Sequence, residues 1–228
     1  MSMNTYALSL ALHVACGTLA LVTFWLAAVL RKGSAAHIRV GRIYLASMVG
    51  VMVSAVPLAV WAFALGKAVT GIFLLYLIVI TATACWNAWR AMRDKRDVGR
   101  YTGAVYKSFA WLNIVAGAIV LALGIRFEQI ILMGLSLVGL LVGPSMLRFA
   151  KRTAHGRQWW LVEHFSAIIG GGIATHIAFL SIGATRFFPP EWANYTQVFA
   201  WFGPLLVAQV VRFWLRRKYR AAAQPVAA

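Results

Sequence analysis

The side chains able to hold a proton or a metal are few: 5 histidines, 5 Asp+Glu and 2 cysteines in 228 residues. His13, His37, His164 and His176 fall within or at the ends of apolar runs, and Glu163 adjoins His164. His155 lies in a charged connection, where solvation is the expectation. An ionisable group in a bilayer is costly, so each of these residues is a functional candidate. Gly17 follows His13 at four residues, and Gly41 follows His37 in the same way, each on the histidine's own helix face. A glycine there leaves room for something large beside the imidazole, either a macrocycle or a neighbouring helix packed on small residues.

Three chemistries compete. Two neutral imidazoles from different helices can ligate a b-type haem in a low-dielectric bundle. His37 and His164 are the preferred pair, with Arg39 and Arg42 beside His37 to meet propionates. His13 and His176 form a second pair at similar depth. However, His164 and His176 are 12 residues apart on one run, a rotation of about 120° on a helix of about 3.6 residues per turn. That works against two stacked haems unless Gly170, Gly171 and Gly172 bend the helix. The second chemistry is a soft nitrogen and sulfur site for copper or zinc, made by His13, Cys16 and His176. At the other end His37, His164 and Glu163 are the metal candidates, although neighbours on a helix point about 100° apart. The third reading is structural. A histidine in a membrane bundle can hydrogen-bond across helices for about 1 kcal/mol, and Glu163 can pair with a loop arginine.

The composition demands a membrane around these residues. The chain is 62% hydrophobic and only 12% charged, with 22 Lys+Arg and a net charge of +17. Soluble domains are about a quarter charged, and disordered chains lack this apolar content. A bilayer core takes about 20 apolar residues of helix. Seven such runs occur, at residues 6–30, 43–65, 69–89, 108–125, 130–147, 159–182 and 196–215. Residues 126–129 join the fourth and fifth as a tight hairpin. The last run carries Pro204 and Arg212, so six spans is the second choice. The expectation is an all-α, polytopic membrane bundle over residues 1–220, with a disordered cytoplasmic tail at 221–228.

If the runs alternate across the membrane, all of the 22 Lys+Arg except Lys67, Arg126 and Arg186 fall on one side. Basic loops stay inside, so the N-terminus is expected out and the C-terminus in. Trp86, Trp89, Trp111, Trp159, Trp160 and Trp214 lie near the basic ends, as interfacial tryptophans do. The connection from Arg90 to Lys107 reads as charged and solvated. The prolines at 189 and 190 stop any helix there, and that loop is expected on the outer surface. No basic n-region precedes the first run, so it is expected to remain as a span. Ser34 is placed to cap an early start of the second helix. Cys16 and Cys85 fall at different depths and are expected to be free thiols. The basic surplus points to anionic lipids at the cytoplasmic face and away from nucleic acid.

Phosphate-loop, zinc-protease and nucleophile-elbow patterns are absent from the sequence. An ordered set of residues carries a resemblance. It runs from His13 and Gly17 through Arg31, Lys32, Gly33, His37, Gly41, Arg42, Tyr44 and Met48 to Trp89 and Arg90. It resumes at Trp159, Trp160, His164, Thr175 and Phe179 and ends with Pro204, Trp214, Arg217 and Tyr219. This set resembles an uncharacterised bacterial family of multi-pass membrane proteins, catalogued as the 2306-type domain of unknown function. The resemblance implies the bacterial cytoplasmic membrane and marks His13, His37 and His164 as pattern positions. His176 departs from the pattern. The resemblance implies no activity. The functional expectation is electron transfer through a b-type haem, with a redox partner or a partner membrane subunit. The alternative is a non-redox transporter or accessory subunit with structural histidines.

Overall fold

The structure is a computed structural model that describes residues 3–183 and 188–219. Among these residues there are eight α-helices and no strand: α1 Met3–Val29, α2 Ala35–Ala64, α3 Ala68–Arg93, α4 Val98–Tyr101, α5 Ala104–Arg126, α6 Ile130–Ala150, α7 Trp159–Ala178 and α8 Ala193–Lys218. Seven segments are long and apolar enough to cross a membrane, which is compatible with a multi-pass membrane protein. Their order and number match the seven apolar runs. Arg186 and the segment beyond Arg220 lie outside the described residues.

Large aliphatic and aromatic side chains cover exposed faces of these helices, including Leu12, Val53, Leu141 and Val210. That is the pattern of a surface facing hydrocarbon. Hydroxyls inside the helices are satisfied locally. Thr18 donates to the Val14 carbonyl, Thr23 to Leu19, Ser47 to Ile43, Ser54 to Gly50 and Thr83 to Val79. Such bonds one turn back let a polar side chain sit in an apolar medium at little cost.

Caps set the boundaries that apolarity alone misplaced. Ser34 has extended backbone, and its hydroxyl accepts from the His37 N–H at 3.2 Å. α2 therefore begins at Ala35, which brings His37 into its first turn. α2 ends at a turn in which Gly66 has a φ of 72° and the Lys67 N–H bonds to the Ala62 carbonyl at 2.9 Å. This left-handed close suits glycine. The hairpin between α5 and α6 closes through Gln129 N–H on the Gly124 carbonyl at 2.8 Å. Pro57, Pro144 and Pro204 lie inside α2, α6 and α8. α7 runs unbroken through Gly170, Gly171 and Gly172 and continues as a π-turn at Phe179–Gly183.

The chain divides into two compact units. One comprises Met1–Thr83 and Trp111–Gly143, the other Ala84–Ala110 and Pro144–Ala228. In the first, α1 packs along α2, and Phe24 meets Tyr44 with ring centroids 5.9 Å apart. Buried polar groups tie α3, α5 and α6. The Tyr76 hydroxyl donates to the Leu135 carbonyl at 2.9 Å and accepts from the Gly139 N–H at 2.9 Å. The Asn113 amide donates to the Thr83 hydroxyl at 2.6 Å. Tyr76→Phe removes both roles of one oxygen, and a loss of about 1–2 kcal/mol is expected. Unfolding in mixed detergent micelles measures it; an unchanged midpoint would show that the hydroxyl contributes nothing.

In the second unit the connection after α3 corrects the expectation of a solvated loop. Asp94 is 4% exposed and Tyr101 only 1%. The Asp94 carboxylate pairs with Arg90 and, at 3.5 Å, with Arg100. The Arg90 guanidinium also donates to the Arg100 carbonyl at 2.8 Å. Asp97 caps α4 by accepting from the Arg100 N–H. The charges that suggested solvation instead close a short folded strap.

Candidate functional site

Four histidines share one geometry. In the first unit His13 Nδ1 lies 3.1 Å from the Val51 carbonyl and 3.2 Å from the Ser54 hydroxyl. His37 Nδ1 lies 3.0 Å from the Ala27 carbonyl. In the second unit His164 Nδ1 lies 2.9 Å from the Ala88 carbonyl. His176 Nδ1 lies 2.7 Å from the Gly172 carbonyl, one turn back on its own helix. A carbonyl can only accept, so Nδ1 must carry the proton in each ring. In the neutral ring the lone pair then sits on Nε2. Donation from the second ring nitrogen to a carbonyl is the usual support of a metal-ligating histidine, because it fixes tautomer and orientation.

His155 differs. Its Nε2 is the nitrogen engaged, 3.1 Å from the Phe149 carbonyl, and its ring lies 4.7 Å from that of Phe149. It is half-buried against an aromatic cluster, which corrects the expectation of a solvated loop residue.

The Ala27 carbonyl belongs to the last turn of α1, where helix carbonyls lack intrahelical partners. Lys32 Nζ donates to the same oxygen at 2.9 Å. The end of α1 thus collects two donors, and one of them orients His37. Gly17 and Gly41 have nothing within 4 Å of the place a Cβ would take. Among the described residues, no atom of a neighbouring helix lies within 4 Å of that place beside His13 or His37. Other glycines behave differently: a Cβ at Gly50 would lie 2.6 Å from Cys16 Sγ. Cys16 therefore packs against α2 as a small, half-buried group. Arg39 and Arg42 are exposed at the start of α2.

Cys16 and Cys85 are free thiols. Among the described residues no three His, Cys, Asp or Glu side chains are grouped as a metal ion would require. His13, Cys16 and His37 belong to the first unit, and Glu163, His164 and His176 to the second.

Glu163 follows an unforeseen course. The Tyr101 hydroxyl donates to Glu163 Oε2 at 3.2 Å. Tyr101 sits with ring centroids 4.9 Å from Tyr106 and 4.9 Å from Trp159. Burial first, and then the Glu163 charge, push the Tyr101 phenol well above its usual range, so it stays a donor. Trp159 is 8% exposed within this cluster rather than interfacial. Trp86, Trp89 and Trp214, also at basic ends, do meet cations. Arg90 lies 5.3 Å over Trp86, Arg93 4.9 Å over Trp89, and Lys218 5.1 Å over Trp214. Sequence reasoning passed over Tyr101, Tyr106 and Ser166; the one available signal was Arg212, a cation inside an apolar run. No protein-family model matches the chain, and no curated protein or solved structure matches it.

Proposed function

We propose that this chain is a multi-pass protein of the bacterial cytoplasmic membrane that binds b-type haem through histidine Nε2 and serves electron transfer. His37 and His164 are the favoured ligands, with Arg42 toward a propionate, at the cytoplasmic end. His13 is the further candidate. The N-terminus is out and the C-terminus in, because this places all but three of the basic residues inside. Anionic lipids at that face and a redox partner or partner membrane subunit complete the reading. The resemblance to the 2306-type family is part of it, since the same three histidines are that family's pattern positions.

The observation that carries the haem reading is the bond from Nδ1 to a backbone carbonyl in His13, His37 and His164, which fixes the ring orientation and puts the proton on Nδ1. The open steps at Gly17 and Gly41 support it, because a flat macrocycle needs such clearance beside the imidazole. Haem iron held by two imidazoles supplies a one-electron couple tuned by its surroundings. The test is the difference between dithionite-reduced and oxidised spectra of protein purified in mild detergent after expression with ample haem. A Soret and α-band pair is expected; their absence removes the reading.

Gly41→Leu follows as a specific prediction. The position is open, so the variant should fold with an unchanged melting profile. The leucine would occupy the step beside His37, and haem content should fall several-fold. Full haem content in the variant would mean that the step is not used.

One observation favours the second reading, a non-redox membrane protein such as a transporter or accessory subunit. Every span histidine already has a carbonyl partner, which a purely structural residue also needs. The spectrum decides between them.

A further inference from the structure

The second unit holds a group of buried donors that lack acceptors. The Tyr106 hydroxyl, the Ser166 hydroxyl and Arg212 Nε are all buried without a hydrogen-bond partner. An unmet buried polar group costs about 1–3 kcal/mol, and three in one neighbourhood ask for an explanation.

They share a neighbourhood. Ser166 stands one turn beyond Glu163 on α7. The Arg212 Nη2 donates to the Ser166 carbonyl at 3.5 Å. Glu163 interacts electrostatically with Arg212, Arg216 and Arg152, and Tyr106 with Glu163 and Arg152. None of these arginines forms an ion pair with Glu163. The half-buried Arg212 and, further out, the exposed Arg152 and Arg216 thus lie within electrostatic reach of one carboxylate, whose Oε2 is already held by Tyr101. Positive charge exceeds negative whether that acid is ionised or not. Arg212 Nε can only donate and both hydroxyls can donate, so a single acceptor group would meet all three, and the surplus of positive charge favours an anion.

The geometry points to a binding site for a phosphate oxyanion here, reached by Arg212, Ser166 and Tyr106. A guanidinium with hydroxyl donors suits the several acceptor oxygens of phosphate. Arg212, Arg216 and Arg152 come from the basic ends of their segments, the depth at which lipid phosphates lie. The phosphate can belong to a lipid headgroup or be free. The site is independent of haem.

The experiment uses the full chain purified in a non-phospholipid detergent. It is titrated separately with inorganic phosphate and with dihexanoyl phosphatidic acid, binding being read by calorimetry. Saturable binding of either probe is expected, and the tighter one identifies the source. Ser166→Ala and Tyr106→Phe remove only a hydroxyl, and each should weaken binding about tenfold, the value of a charge-assisted bond. Without a probe both variants should melt no lower than the parent, since each loses an unsatisfied group. Arg212→Gln should abolish binding, while Arg126→Gln, at the far end of α5, should not change it. The proposal is overturned if neither probe saturates, or if Ser166→Ala and Tyr106→Phe bind as tightly as the parent.

Discussion

If the protein carries the proposed haem, His37→Ala and His164→Ala should each abolish its Soret and α bands, while His155→Ala should leave them intact. A b-type haem has no covalent attachment to the chain, so without either imidazole it would be expected to be lost during purification. The expected loss is therefore nearly complete for each single substitution. The contrast with His155 comes from the ring nitrogens. His37 and His164 each give Nδ1, not Nε2, to a backbone carbonyl. His155 commits Nε2 to the Phe149 carbonyl and would have to break that bond to reach a metal. A spectrum that survives either His37→Ala or His164→Ala removes the assigned pair. External imidazole added to His37→Gly should restore the bands, separating ligand loss from misfolding.

Gly139→Val should prevent stable folding. A Cβ at this position would fall 2.5 Å from the Asn113 carbonyl oxygen and 3.0 Å from the Tyr76 hydroxyl. The first obstacle is backbone, which cannot swing away as a side-chain tip can. α5 and α6 would have to separate, and the Tyr76 bond to the Gly139 N–H would open. The expected cost is about 3 kcal/mol or more, from overpacking plus a lost buried hydrogen bond. Gly170→Ala is the control, because nothing stands within 4 Å of its Cβ position; its melting temperature should hold or rise slightly. Equal melting of Gly139→Val and the parent would mean that α5 and α6 do not approach so closely.

The spans were legible because apolar runs of sufficient length have few alternatives in a 62% hydrophobic chain. Ser34 also signalled the early start of α2, since a hydroxyl three residues before a free N–H is a cap wherever it occurs. The hydrogen-bond partners were not legible. Whether His13 meets Val51 or lipid depends on helix rotation, which a nearly all-apolar helix does not encode in its pattern. The strap after α3 was missed for a different reason. Asp94 counted as one more charge in a basic loop, yet its burial follows from closing two arginines around it. Trp159 misled likewise, because a tryptophan beside basic residues fits an interface and an aromatic core equally well.

The bonds of Tyr76 have a bearing on how the chain is made. Its acceptor at Leu135 lies 59 residues downstream. At a synthesis rate of about 5–20 residues per second, that carbonyl emerges roughly 3–12 seconds after the tyrosine. The hydroxyls of α1 and α2 close within their own helices, so these two are ready for lipid as soon as they form. α3 is not: for those seconds its phenol has no carbonyl of α6 to meet. The hydrogen bonding of α3 is therefore completed later than that of α1 and α2, once α6 has been made.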